Sequence, residues 1–416
     1  MESNEIERGF YVQELSNVKK ELQGLSGEDK VIVWTLISMF LPFFVTVPAV
    51  IFAFFYMIKE GRLQTVMKKT PFGYTIAFFL VLTLVVSLCY RNWWGVGLGI
   101  LLGMVIMVLM YYRTLVNHAM FDLIVRIAVF LMCLCAVYAL FEYAYRIIVM
   151  LDWDIMALPI PSKRQYRIRV GFFNANYYAM MIEFTILLCF YKIQGKGSKA
   201  SKLYYLCAML LQAFILYLTG SRTGMVAAVG GIGIMILFLM NKYVIAAFTS
   251  GCGALIVFFA TKPQLFPRVT FLERNFQARF AIWEGAWRCF QAHPLFGQGS
   301  FTYYFNYLQS IDTPHEMYKT QHAHNLLLDP LASFGIIGSF LVLLYLAGFL
   351  KQAWLLFRAK TDKGLVALVA ATLAVTLLHG VFDYTIFWVQ TAMFFFFLLG
   401  AMAMYFPQTQ IRMQMN

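Results

Sequence analysis

Long apolar runs separated by short polar connections dominate the chain, and each run approaches the ~20 residues that a helix needs to cross a bilayer. Candidate spans are 31–58, 71–90, 93–112, 121–141, 173–191, 203–219, 223–240, 243–261, 326–350, 365–378 and 387–406. The first run is 28 residues long and holds Pro42 and Pro48, which interrupt helical hydrogen bonding. Read as one span it makes eleven; read as two short, tilted segments it makes twelve and places Lys19, Lys20 and Lys30 inside, and the balance favours twelve. The expected fold is therefore an all-α, polytopic membrane protein with about 12 transmembrane helices. Residues 1–30 form an inner tail, 31–406 a single domain, and 407–416 a second inner tail. No tandem repeat or low-complexity stretch divides it.

Charge sets the orientation. Loops 59–70, 192–202 and 351–363 carry four Lys/Arg each, which assigns them to the cytoplasm. The alternate connections contain only Arg91, only Arg222, or no basic residue at all in 379–386. Loops 142–172 and 262–325 then lie outside, and the C-terminus inside.

Composition agrees with the pattern. Hydrophobic residues make up 61% of the 416 and charged residues only 13%, which excludes an ordinary soluble domain. The first thirty residues hold four Lys/Arg against seven Asp/Glu, so of the net +13 the remainder carries +16. That excess serves topology, anionic lipid or an anionic ligand. Of seven cysteines, six lie in apolar runs and Cys289 stands alone in its loop, so no disulfide framework is expected. No basic segment followed by an apolar stretch and a small-residue cleavage site opens the chain, so no cleaved signal peptide is expected.

Four stretches could carry chemistry, and the topology places all of them on the outer side. Arg167-Ile-Arg169-Val-Gly171-Phe-Phe-Asn174-Ala-Asn176 ends an outer loop and opens a span. Asn174 or Asn176 can cap that helix, with Arg169 at the membrane surface as an interfacial anchor or an anion contact. Thr219-Gly220-Ser221-Arg222-Thr223-Gly224 puts an arginine at the hydrocarbon edge, where it either snorkels or serves a ligand. Residues 272–291 read as an amphipathic helix on the membrane surface, with Arg279, Trp283 and Trp287 four apart on one face. His293-Pro-Leu-Phe-Gly297-Gln-Gly299 follows as a turn.

The fourth stretch is QHAHNLLLDPLASFGIIGS, Gln321–Ser339. His324 and Asn325 enter a helix that carries Gly335 and Gly338, small residues that allow close helix approach. His315 and His322 read as solvated loop histidines. With His324, Asp312 and Glu316 they could suggest zinc or manganese, but the spacing fits no strong metal signature, and no metal is expected.

In this order the four stretches resemble the motifs of the O-antigen ligase and polymerase family, membrane enzymes that move glycans off a polyprenyl-diphosphate carrier. The resemblance runs from about Arg169 to Ser339. It implies a GT-C-like membrane glycosyltransferase in the bacterial cytoplasmic membrane, with its active site facing outward. The donor would be a glycan on undecaprenyl diphosphate, and the acceptor another glycan or lipid-glycan; no cofactor and no nucleic acid is expected. By resemblance Arg222 and Arg279 contact the carrier diphosphate, with Arg169 as a third contact, and His324 is the general base. Asn174, Asn176, Trp283, Asn325, Gly335 and Gly338 have supporting places. Many relatives carry an acid where Ser333 stands, and Asp329-Pro330 interrupts the usual apolar and amide run. An alternative is a transporter of lipid-linked glycan, which the mid-span acid Glu183 would suit.

Overall fold

The computed structural model describes residues 17–151, 167–239, 241–267, 272–309 and 319–406. Among them there are helices and no strand. Numbered from Gly27, the helices are α1 (Gly27–Ser38), α2 (Phe43–Lys59), α3 (Leu63–Lys69), α4 (Gly73–Cys89) and α5 (Trp93–Leu115). Then come α6 (His118–Leu151), α7 (Ala175–Gln194), α8 (Lys199–Thr219), α9 (Arg222–Leu239) and α10 (Lys242–Thr261). Last are α11 (Leu272–Ala292), α12 (Thr302–Gln309), α13 (Leu328–Ala359), α14 (Lys363–Gly380) and α15 (Val389–Gly400).

The first apolar run does break in two. It breaks at Pro42, which precedes α2, whereas Pro48 is carried inside α2. The Thr46 hydroxyl donates to the Ser38 carbonyl at 2.8 Å, satisfying a group that the interrupted helix leaves open. The two halves are twelve and seventeen residues long, both short of the ~20 of a typical span. Seven described helices are long and apolar enough to cross a membrane, or eight if the pair α2 and α3, bent by 99°, counts as one. That is fewer than the twelve expected from hydropathy. α4 is a shorter apolar helix, as is the stretch from Val389 to Tyr405. α7 is made less apolar by Asn176, its tyrosines and Glu183, and is wrapped by protein, with every residue from Tyr177 to Cys189 buried. A helix screened from lipid can hold such polar groups, which a lipid-facing one cannot.

The part read as an N-terminal tail is packed onto the bundle where it is described. Glu28 pairs with Arg62 and accepts from the Tyr111 hydroxyl, and Glu21 pairs with Arg126. Residues 407–416 lie outside the described ones. All seven cysteines are free, and Cys289 is buried in α11 rather than standing in a loop.

One break in α13 positions the site. Gly335 has φ 62 and ψ −168, non-helical values reserved for glycine. Into this break fits the turn His293–Gly299. Ile336 N donates to Pro294 O at 2.8 Å, Ile337 N to Leu295 O at 3.1 Å, and Gly299 N to Ser333 O at 2.8 Å. Gly335 is thus a docking point for a backbone, not the small packing residue expected from its spacing. Gly338 does serve close approach, lying against the Phe334–Phe79 edge-to-face pair. A Cβ on residue 335 would stand 2.4 Å from the Leu295 carbonyl. Gly335→Ala is therefore expected to cost about 3 kcal/mol or more from strain and overlap together. Thermal unfolding in detergent and protease sensitivity of the 262–325 loop would register it. An unchanged midpoint and cleavage pattern would rule out the docking role.

Candidate active site

Residues from three of the four stretches converge on Asp383, an acid the sequence reading passed over. It sits in the short connection after α14, with its side chain only 1% exposed. Oδ1 is 2.7 Å from His324 Nδ1 and accepts from the Tyr384 amide at 2.8 Å. Oδ2 accepts from Asn176 Nδ2 and lies 3.9 Å from Arg279 Nη2. Burial by itself would raise this carboxyl. The His324, Arg279 and His322 side chains around it prevail and hold it well below the usual carboxylate range. Asp383 is ionised and can only accept, so His324 Nδ1 donates to it, which leaves Nε2 as the nitrogen turned away from the acid. That nitrogen faces the Thr320 hydroxyl at 3.0 Å.

The backbone around His324 is tightly held. His324 has φ 51, a strained value for a non-glycine residue, and such strain gathers at functional sites. Its amide donates to His322 Nδ1 at 3.1 Å, and its carbonyl lies 3.5 Å from Trp283 Nε1. Asn325 closes the turn that leads into α13, accepting from Leu327 N and Leu328 N at 2.9 Å each, while its Nδ2 donates to Val381 O at 3.0 Å. The His-Asn pair therefore joins two elements: Asn325 ties the start of α13 to the end of α14, and His324 reaches the acid beyond that end.

His322 is not the solvated loop residue expected. It is buried, hydrogen-bonded through Nε2 to the Tyr177 hydroxyl at 3.1 Å and packed beside Phe387. Burial is the largest cause that pushes its pKa well below the ordinary histidine value, with the neighbouring His324 and Arg279 side chains acting the same way against the opposing pull of Asp383, so it is neutral. Its place is to support His324. His315, Asp312 and Glu316 lie outside the described residues.

Nitrogens of His322 and His324 and an oxygen of Asp383 lie within 4.8 Å of one another, close enough to share a cation. The donor set fits one poorly. His322 Nδ1 already accepts a backbone N–H, His324 Nδ1 is committed to Asp383, and the Arg279 guanidinium stands beside the same carboxylate.

The arginines divide differently from the expected set. Arg279 is largely buried on α11, over the site, and the burial that lowers its pKa leaves it charged. Trp283, one turn on, stacks on Phe382 with ring centroids 5.8 Å apart. Arg222 is the first residue of α9 and half-buried. Arg169 is exposed, while its amide and that of Val170 donate to Glu142. Arg167 instead turns inward, donating to Asn176 Oδ1 and to the Thr219 carbonyl at 2.6 Å, and so links the first stretch to the second. Asn174 caps α7 as expected, accepting from Asn176 N at 2.8 Å and Tyr177 N at 3.0 Å. One turn before Ser333 stands Asp329. Asp329 accepts from Ala323 N at 2.6 Å, and with Ser333 it lines a small cavity beside Tyr384 and Phe387.

Residues 207–343 match the family model described as O-antigen ligase. The match supports the O-antigen ligase family for this chain. It covers about a third of the sequence and takes in Arg222, Arg279, Trp283, His324, Asn325, Gly335 and Gly338. Arg167, Asn176 and Asp383 lie outside the O-antigen ligase segment and reach the site through the fold. No curated protein matches the chain significantly. The family together with the apolar helices points to a multi-pass bacterial membrane protein. Its expected activity is glycosyl transfer in surface-polysaccharide assembly, with lipid-linked glycans as substrates.

Proposed function

We propose that the protein transfers a glycan from undecaprenyl diphosphate to an acceptor hydroxyl at the outer face of the cytoplasmic membrane, with inversion and without a metal. One observation carries this reading: His324 is oriented through Nδ1 by an ionised Asp383, which the Arg279 guanidinium also faces, and Nε2 is directed at a hydroxyl, that of Thr320, as a base would be at the acceptor's. His324 takes the proton of the acceptor hydroxyl as that oxygen bonds to the anomeric carbon. The bond from that carbon to the diphosphate oxygen breaks, and the electron pair leaves with undecaprenyl diphosphate. Arg279 and Arg222 neutralise the leaving diphosphate, for which a planar guanidinium is suited. The alternative of a transporter rested on Glu183 as a mid-span acid, and that acid is paired with His379 in the bundle interior.

The test is transfer by the purified protein from lipid-linked glycan to candidate acceptors, with lipid-linked intermediates profiled in a deletion strain. Single repeats accumulating on the carrier would mark a polymerase, and long unattached chains a ligase. Intermediates trapped on the inner leaflet, with no transfer in vitro, would overturn the reading in favour of transport.

A further inference from the structure

Glu183 lies nine residues inside α7, and His379 is in the last turn of α14. Oε1 of the acid and Nδ1 of the histidine meet at 2.8 Å, with both side chains fully buried. Burying an ionisable pair carries a desolvation penalty that can exceed its attraction, so such a pair is a poor way to add stability. What it supplies well is register: apolar ridges can slide past one another, while a buried polar pair accepts one alignment. Neither Glu183 Oε2 nor His379 Nε2 has a hydrogen-bond partner among the described residues, so their mutual bond is the tether.

The surroundings are shaped around this bond. Gly224, in the Ser-Arg-Thr-Gly turn, leaves room for the acid, since a Cβ there would stand 2.6 Å from Glu183 Oε1. The end of α14 bears directly on the histidine segment. The Gly380 carbonyl accepts from Leu326 N at 2.8 Å, and the Val381 carbonyl accepts from Asn325 Nδ2 at 3.0 Å. Asp383, four residues after His379, holds His324 Nδ1.

We propose that Glu183 and His379 are positioning residues for transfer, locking the last turn of α14 onto α7 and thereby fixing where Asp383 meets His324. The proposal rests on the glycosyl-transfer reading of the site. Its consequence is that hydrogen bonding, rather than charge, is what position 183 must supply.

Four variants test this in vitro. Glu183→Gln and His379→Asn can keep the hydrogen bond, and each is expected to retain a third or more of wild-type kcat. Glu183→Leu and His379→Leu cannot, and each is expected to lose at least tenfold in kcat, with KM for the lipid-linked donor changed less than about threefold. Because the effect runs through Asp383, Glu183→Leu should cost nothing further in an Asp383→Asn background. Modification of His324 by diethyl pyrocarbonate, followed by mass spectrometry, gives a readout independent of transfer. Glu183→Leu is expected to change that rate several-fold, and Glu183→Gln to leave it near wild type. Wild-type turnover and modification rates in Glu183→Leu would overturn the proposal. So would the same tenfold loss recurring in the Asp383→Asn background, or a Gln variant as impaired as the Leu one. If the wild-type protein transfers nothing while the modification rates respond as expected, the positioning role stands and the transfer reading falls.

Discussion

Asparagine at position 324 is expected to cut glycosyl transfer by about 10²–10⁴-fold, the usual worth of a positioned general base. The substitution can keep a hydrogen bond to the acceptor hydroxyl but cannot carry its proton near neutral pH. Binding of the lipid-linked donor should survive, because the proposed diphosphate contacts are arginines on α9 and α11. Asp383→Asn is expected to fall in the lower part of the same range. An amide in that place can donate to Nδ1, which favours the tautomer whose Nε2 bears the proton and can no longer take one. Initial rates on purified lipid-linked glycan, with a chelator present throughout, measure both. Near-full turnover of His324→Asn would reduce the histidine to an orienting group. Loss of wild-type activity on chelation would return His322, His324 and Asp383 to the role of metal ligands.

Arg279→Lys is expected to lose about 10²–10³-fold in transfer, comparable with removal of one donor aimed at developing charge. Lysine preserves the formal charge, but one ammonium cannot present two parallel N–H groups to phosphate oxygens. The site makes the exchange harsher, because the Arg279 side chain is only 22% exposed. Burial at this place already lowers the guanidinium pKa, and a lysine amine starts closer to neutrality. Arg222→Lys should act in the same direction and less strongly, since Arg222 is half-buried at the first residue of α9. Both variants need an expression and unfolding control. Near wild-type transfer by both would leave only general electrostatics, and the diphosphate-clamp role would be withdrawn.

Arg222, Arg279, His324 and Asn325 were legible in the sequence because each sits beside a local signal: a tight turn between apolar runs, a helical face, or a polar loop entering a span. The helices were legible for the same reason, since hydropathy reports the surroundings of a segment directly. The break of the first run at Pro42 and the cap at Asn174 follow from backbone chemistry that neighbouring residues impose. The number of spans did not follow as simply. Hydropathy treats every apolar run as lipid-facing, whereas α7 is enclosed by protein and keeps Glu183 inside.

What only the tertiary structure decided is which side chains meet. Asp383 is 59 residues from His324, and its one sequence cue is that it stands as the sole charge in a short connection otherwise uncharged. No periodicity joins the two, because their contact depends on how α14 ends against the start of α13. Arg167 and Arg169 are equally basic and two apart, and only the turn before α7 sends the first inward. His322 and His324 are also two apart. The fold buries the first against Tyr177 and gives the second an acid partner. Gly335 and Gly338 look alike as small residues in a helix, yet one opens the helix to a docked backbone and the other admits a neighbouring ring. A sequence states the propensity of each segment; the chemistry of this site resides in contacts between segments, which exist only once the helices are packed.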